Sequence, residues 1–219
     1  DGGSPEALTL LGRCYEEGIE VRADPIVAAV FYIRAVRMDY LRASDLLLRL
    51  VEQKEFMPKV KTRAEKGDPD AEFAWSTLVG LGFEGSLMQG QAYLTPAQAL
   101  RLLRKAVDQG HVQAMVELGL CYYAGRWVNG DQARALSLWQ EAASHGNREA
   151  EIRIDVMHVR ESGRPDIVQE ANARLRRSAG EGSLLAQVAL GYCYDKGIGV
   201  GGSKAEAARL YRSAARRGS

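Results

Sequence analysis

The chain has 219 residues, of which 46% are hydrophobic, 26% are charged and 7% are aromatic, and this apolar content argues against a disordered chain. Lys and Arg number 29 and Asp and Glu number 28, so the net charge of +1 gives no indication of binding to nucleic acid or to an anionic membrane. No apolar stretch approaches the roughly 18 residues of a membrane span, and no signal peptide is recognised, so we expect a soluble chain.

Small and apolar residues return at fixed distances along the chain, which is typical of a repeat protein. The five recognisable units are anchored at Ala7, Ala71, Ala114, Ala150 and Ala186, and the last two intervals are 36 residues each. Because 64 residues separate the first two anchors, we expect a truncated sixth unit at Ala43. The predicted solenoid domain covers 1–219 with units at 7–42, 43–70, 71–113, 114–149, 150–185 and 186–219, and we expect it to be part of a longer protein.

Each unit is predicted to contain two helices, helix A followed by helix B. Apolar residues at positions 0, 4, 7 and 8 from the anchor trace one face of helix A, and a glycine ends that helix at Gly18, Gly82, Gly125 and Gly197. Helix B begins at the N-cap residues Asp24, Thr95, Asp131 and Ser203. One such hairpin cannot bury its own apolar face, whereas a stack of six hairpins can.

The consensus Ala-x3-Leu-Gly-x2-Tyr-x2-Gly, followed by Asp and an Ala-rich helix that ends in Ala-Ala-x2-Gly, resembles the Sel1-like repeat, a relative of the tetratricopeptide repeat. The match is closest at 114–125 and 186–197, whereas the unit from Ala150 has Asp155 and Glu161 for glycine and His158 for tyrosine. The resemblance implies an all-α, right-handed superhelical solenoid of about six antiparallel helix pairs. It also implies that helix A lines the inner surface and that the protein is a non-catalytic adaptor for protein complexes.

The inner face of the later A helices is more apolar than a surface helix requires. Positions 2, 6 and 9 lie about 180° to 240° from the anchor on a helical wheel, on the side opposite the core. The candidate groove residues are Leu81, which stands at position 10 of its unit, and nine residues at positions 2, 6 and 9: Phe73, Val116, Leu120, Tyr123, Ile152, Val156, Val159, Val188 and Tyr192. Such a face must be covered by the opposite wall of the superhelix, by a second copy of the chain, or by a peptide or helix of another protein. Our hypothesis is a groove for a partner segment.

A small-molecule binder or an enzyme that uses the central groove is the alternative, since β-lactam binding is attached to some relatives of the resembled family. The chain has no Ser-x-x-Lys, Lys-Thr-Gly or Ser-Asp-Asn motif to support hydrolase chemistry. The glycine-rich segment 197–204 has Ser203 before Lys204 and follows a predicted helix, which argues against a phosphate-binding loop. We therefore predict no catalytic residue and no cofactor.

The cysteines and histidines give no sign of a metal site. Cys14, Cys121 and Cys193 occupy equivalent positions of different units, too far apart for a disulfide, and are predicted to be buried small residues. Some members of the resembled family carry paired cysteines that bridge helix A to helix B, and this chain lacks the second cysteine of any such pair, which favours a reducing, cytoplasmic compartment. A periplasmic location stays open if the longer protein carries a signal or an anchor. His111, His145 and His158 form no metal-ligand spacing.

Two further features could form contacts with a partner. Residues 174–219 contain nine basic and three acidic groups, and the candidate basic patch consists of Arg174, Arg176, Arg177, Arg209, Arg212 and Arg216. This patch is interpreted either as a solvated outer face or as a docking surface for an acidic partner. The extension from Gly82 to Tyr93 is interpreted as a tolerated insertion or as a loop that carries a few apolar side chains.

Overall fold

The computed structural model describes residues 4–38, 40–81 and 94–218, and within those ranges the chain forms α-helices and no strands. The predicted extension from Gly82 to Tyr93 lies outside the described residues. In chain order the helices are α1 (Pro5–Glu17), α2 (Pro25–Val36), α3 (Leu41–Glu52), α4 (Phe56–Glu65), α5 (Pro69–Gly80), α6 (Pro96–Asp108), α7 (Val112–Ala124), α8 (Gln132–Ser144), α9 (Arg148–Glu161), α10 (Pro165–Gly180), α11 (Leu184–Lys196) and α12 (Lys204–Gly218). The odd-numbered helices are the A helices and the even-numbered helices are the B helices of units one to six.

The helix ends follow from local chemistry. The predicted B-helix N-caps at Asp24, Thr95 and Asp131 each accept a hydrogen bond from a backbone amide of the first turn, and Ser203 accepts one from the amide of Glu206. Helices α1, α7 and α11 end at glycines with φ of 74°, 65° and 68°, a left-handed conformation that favours residues without a Cβ.

Close packing of helix A on helix B depends on a glycine opposite an aromatic ring. A Cβ added at Gly12, Gly119 or Gly191 would lie closer than 3.0 Å to the ring of Tyr32, Trp139 or Tyr211, respectively, a separation that real Cβ atoms essentially never show. The indole nitrogen of Trp139 also donates a hydrogen bond to the carbonyl of Val116 at 3.1 Å. In units three and five the same helix-A position holds Ser76 or Asp155, and the equivalent helix-B position holds leucine instead of an aromatic residue.

Neighbouring hairpins share continuous cores, as expected for a solenoid. One cluster of buried side chains extends from Ile26 to Met157, and a second extends from Ile152 to Leu210. Helix α2 packs against both α3 and α5, because the unit between them is short. Beyond the end of α2, the guanidinium of Arg37 is 2.5 Å from the carboxylate of Glu117 in α7. The all-α solenoid of helix pairs that the sequence predicts is thereby confirmed.

Candidate functional site

The ten candidate groove residues do not form one continuous surface. Val188 is 43% exposed, while Leu81, Leu120, Tyr123, Val156 and Tyr192 are half-buried. Phe73, Val116, Ile152 and Val159 are buried in the core of the chain itself and are therefore not available to a partner. Phe73 stacks on His111 with 4.9 Å between the ring centres. The helical wheel places these four residues on an outward face, but the chain itself covers them. Helix α5, which carries Phe73, packs on α2, and α9, which carries Ile152 and Val159, contacts α11.

Three of the half-buried candidates meet at a cavity of about 200 Å³ formed by units four to six, here called the inner pocket because the A helices are expected to line the inner surface. Leu120 and Tyr123 from α7 lie next to Val156 from α9, and Leu185 from α11 joins them. The complete lining is Leu120, Tyr123, Trp139, Arg153, Val156, Met157, Arg160 and Leu185. Successive A helices therefore supply the apolar surface, as the groove hypothesis expects.

The wall of the inner pocket in unit four is held in place by the glycine–tryptophan packing. Only 2% of the Trp139 surface is exposed, and the Trp139 ring packs against Gly119. The Tyr123 ring lies 5.6 Å from the Trp139 ring in a tilted arrangement, which is favourable for two aromatic side chains. The position of Tyr123 thus depends on a core contact of the repeat.

Arg153 is neutralised by a buried carboxylate. Its guanidinium donates two hydrogen bonds to Glu149, at 2.9 and 2.5 Å, and Gln113 donates a third at 2.9 Å. Burial alone raises the pKa of Glu149, but Arg153 and the hydrogen bond from Gln113 outweigh burial and lower it. At neutral pH this part of the pocket is an ion pair with no net charge.

Arg160 supplies a positive charge at the edge of the pocket. Its guanidinium lies over the ring of Tyr192, 5.2 Å from the ring centre, and no ion pair to a carboxylate is formed within the described ranges. The Tyr123 hydroxyl donates to Glu161 at 3.3 Å, and burial together with Glu161 raises the pKa of Tyr123, which stays neutral at physiological pH. The edge of the pocket therefore combines aromatic rings with one arginine that can accept an acidic partner.

The six arginines of the candidate basic patch fall into two groups. The first group lies on α10, where Arg174 pairs with Asp155 at 2.7 Å. Arg174 and Arg177 line one depression between α9 and α10, and Arg176 is exposed. Arg209, Arg212 and Arg216 line a second depression, on α12. Arg209 is also paired with Glu206. Docking of an acidic partner on this patch stays a prediction.

The sequence did not predict five of the lining residues, although a signal for the two arginines was present: Trp139, Arg153, Met157, Arg160 and Leu185. Arg153 and Arg160 stand three and ten residues after Ala150, which places them at about 300° and 280° on the helical wheel. Position six of the same helix lies beside them, at about 240°. A sector wider by about 60° therefore includes both arginines. Leu185 precedes its anchor and enters the pocket because α11 leans on α9, which depends on helix packing.

Among the residues that the structure describes, no three His, Cys, Asp or Glu side chains are grouped so that they could hold a metal ion. In the same part of the chain, no helix combines the length and apolarity needed to cross a membrane.

Comparison with known proteins identifies the repeat. The Sel1 repeat model matches residues 5–40, 81–111, 112–147 and 184–219. DAP3-binding cell death enhancer 1 is similar at 30% identity in Mus musculus and 29% in Rattus norvegicus, over 55% of this chain. The chain spans about a third of the length of these relatives, 31% in each case.

Two solved structures share the fold over 97% of this chain. One is a protective antigen of uropathogenic Escherichia coli strains that displays an SLR fold, with a TM-score of 0.59, 22% identity and 46% of that chain covered. The other is a Sel1 repeat protein from Oxalobacter formigenes, with a TM-score of 0.57, 23% identity and 86% of that chain covered. At these identities the likeness concerns the fold alone.

Proposed function

The chain belongs to the Sel1 repeat family, and from that premise we propose that it is a non-catalytic scaffold that binds a segment of another protein in the inner pocket. Repeats of this family generally mediate protein–protein interaction. The mouse and rat relatives are named for binding DAP3, which supports a binding role for the shared repeats. The partner of this chain is described below by its chemistry.

The observation that carries the proposal is an apolar cavity to which three successive A helices contribute side chains. Leu120, Val156 and Leu185 are only half-buried there, although apolar side chains of this size gain about 1.5–3 kcal/mol from full burial. The cavity of about 200 Å³ is smaller than the roughly 300–1,000 Å³ typical of sites that enclose a drug-sized ligand. This size favours one apolar anchor side chain of a partner over a complete small molecule.

Arg160 defines the polar part of the partner. Its guanidinium stands next to the apolar cavity, is oriented by the Tyr192 ring and forms no ion pair with a carboxylate in the described part of the chain. A partner with an Asp or Glu near its apolar anchor would form a charge-assisted hydrogen bond there. The segment that fits is an amphipathic helix or short peptide with Leu, Phe or Met at the anchor and an acidic residue three or four positions away.

Selection from a random peptide library on the immobilised chain tests this proposal. We expect selected peptides to share the apolar anchor and the nearby acidic residue. Leu120→Asp and Val156→Asp should each weaken binding of a selected peptide at least about tenfold, because a carboxylate in an apolar cavity is costly to bury. Arg160→Gln should weaken the same peptide about tenfold and leave a peptide with Gln in place of its acidic residue unchanged.

The matched control is Leu10→Asp, the same type of change on an A helix at a residue that is 60% exposed and outside the pocket. Circular dichroism must show that all variants remain helical. Equal binding of the selected peptide to the Leu120→Asp variant would contradict the proposal. A wild-type dimer in sedimentation that Leu120→Asp converts to a monomer would also contradict it, since a second copy would then cover the pocket.

A further inference from the structure

A second cavity, of about 780 Å³, lies between units three and four and shares no lining residue with the inner pocket. It is here called the Tyr122 cleft. Helix α6 contributes Leu100 and Arg104, and Tyr122 comes from the last turn of α7. The rest of the lining is Gly125, Trp127, Val128, Asn129, Gly130, Asp131 and Arg134, from the loop after α7 and the start of α8.

Two arginines from different repeat units converge on one oxygen atom in this cleft. Nη2 of Arg104 and Nη1 of Arg134 each donate to the hydroxyl oxygen of Tyr122, both at 3.3 Å. That oxygen accepts both hydrogen bonds, so its own proton needs a separate acceptor. Within the described residues the Tyr122 hydroxyl donates to no protein acceptor. Three donor groups therefore lie together in the cleft, and among the described residues the carboxylate beside them is Asp131, which pairs with Arg134.

The charge balance of the cleft is positive. Arg134 lies over the Tyr122 ring, 5.5 Å from its centre, and pairs with Asp131 at 3.2 Å. No ion pair of Arg104 with a carboxylate occurs in the described ranges. Two guanidinium groups and one carboxylate leave an excess of one positive charge. The hydrogen bond from Arg134 outweighs burial and, together with Arg104, lowers the pKa of Tyr122, as expected for a phenol beside two positive charges.

We propose that the Tyr122 cleft binds a phosphate monoester carried on a side chain of a partner protein. A guanidinium has five N–H donors, so Arg104 and Arg134 each have further N–H groups besides the one that donates to Tyr122, and these, with the Tyr122 hydroxyl proton, can donate to the three terminal oxygens of a phosphate monoester. Arginine is well suited to bind phosphate through parallel hydrogen bonds. A carboxylate has only two oxygens and a smaller charge, so it satisfies the site less well. Leu100, Trp127 and Val128 provide apolar walls for the stem of the phosphorylated side chain.

Titration calorimetry with acetyl-phosphotyrosine amide, acetyl-tyrosine amide and inorganic phosphate tests the proposal. We expect the phosphorylated amino-acid amide to bind at low ionic strength more tightly than inorganic phosphate, and the unphosphorylated amide not to bind. Arg104→Gln and Arg134→Gln should each weaken binding about tenfold, because each removes a charged donor. Tyr122→Phe keeps the ring and removes the third donor, so we expect a smaller loss.

The matched control is Arg101→Gln, which removes an exposed arginine of α6 that does not line the cleft. An equal loss in the Arg101→Gln variant would attribute the binding to general positive charge and would overturn the proposal. Absence of binding, or binding of inorganic phosphate alone, would overturn it as well. Leu120→Asp should leave this titration unchanged, so failure at the Tyr122 cleft and failure at the inner pocket can be told apart.

Discussion

Units four and five are neighbours with the same hairpin architecture, yet they are packed around different residues. In unit four Gly119 accommodates the Trp139 ring, whereas in unit five Asp155 stands at the glycine position, Leu175 stands at the tryptophan position, and Asp155 pairs with Arg174. The Sel1 repeat model matches unit four at 112–147 and does not match unit five at 148–183. Unit five nevertheless supplies half of the inner pocket lining, Arg153, Val156, Met157 and Arg160. A unit that departs from the consensus thus keeps the fold and supplies half of the lining of the proposed binding surface.

The largest effect on stability is expected in the core of unit four, which matches the repeat model. Trp139→Ala should lower the free energy of unfolding by about 4 kcal/mol, since it removes a fully buried aromatic ring and its hydrogen bond to Val116. The equivalent Leu175→Ala in unit five should cost about 3 kcal/mol. Urea unfolding followed by circular dichroism gives both values. A smaller loss of unfolding free energy for Trp139→Ala than for Leu175→Ala would contradict the expected difference between units four and five.

The buried carboxylate beside the pocket should come next. Glu149→Gln leaves Arg153 without its ion-pair partner and should cost about 3 kcal/mol at pH 7. Because the folded-state pKa of Glu149 is lowered, its contribution is present above the unfolded-state pKa and is lost as the pH falls through the folded-state value. The difference between wild type and variant should therefore shrink on acidification, and a constant difference from pH 7 to pH 3 would contradict this assignment.

The glycine–aromatic pairing predicts a loss of about 2 kcal/mol for Gly119→Ala, because the added Cβ overlaps the Trp139 ring. Trp139→Leu recreates the smaller helix-B residue of unit five, so a double-mutant cycle should show that Gly119→Ala costs less in that background. Gly180→Ala is the matched control, since a Cβ at that helical position meets no atom within 4 Å. It should be neutral or stabilising by up to about 1 kcal/mol.

The smallest effect is expected at Asp155. Burial raises the pKa of this carboxyl more than Arg174 lowers it, so the ionised form at neutral pH is a net cost to the folded state. Asp155→Asn should leave stability unchanged or raise it by less than about 1 kcal/mol at pH 7. The gain should disappear as the pH falls to a point where wild-type Asp155 is protonated. A loss above 1 kcal/mol at pH 7 would indicate that the Arg174 pair stabilises the unit.

Much of the fold could be predicted because it depends on local patterns. The glycines at 18, 125 and 197 and the N-caps Asp24, Thr95, Asp131 and Ser203 act within one turn of their own helix, so sequence spacing identifies them. The pairing of Gly119 with Trp139 joins residues twenty positions apart in the same repeat and is visible once the units are aligned.

The candidate site could be predicted only in part, since burial of an inner face depends on which helix crosses it. Leu120, Tyr123 and Val156 were found by helical periodicity, whereas Phe73 and Val116 satisfy the same periodicity and are covered by the chain. Helix α2 packs against α5, a contact between residues far apart in sequence. The ion pair between Arg37 and Glu117 likewise joins residues that are eighty positions apart.

Methyl NMR of the chain during titration with a peptide selected on it tests the central claim most directly. If the inner pocket is the binding surface, the methyl signals of Leu120, Val156 and Leu185 shift together with one dissociation constant, while those of the exposed Leu10 and Leu11 on α1 stay in place. Shifts confined to α1, or pocket methyl signals that do not respond to a bound peptide, would contradict the claim that units four to six form the binding surface.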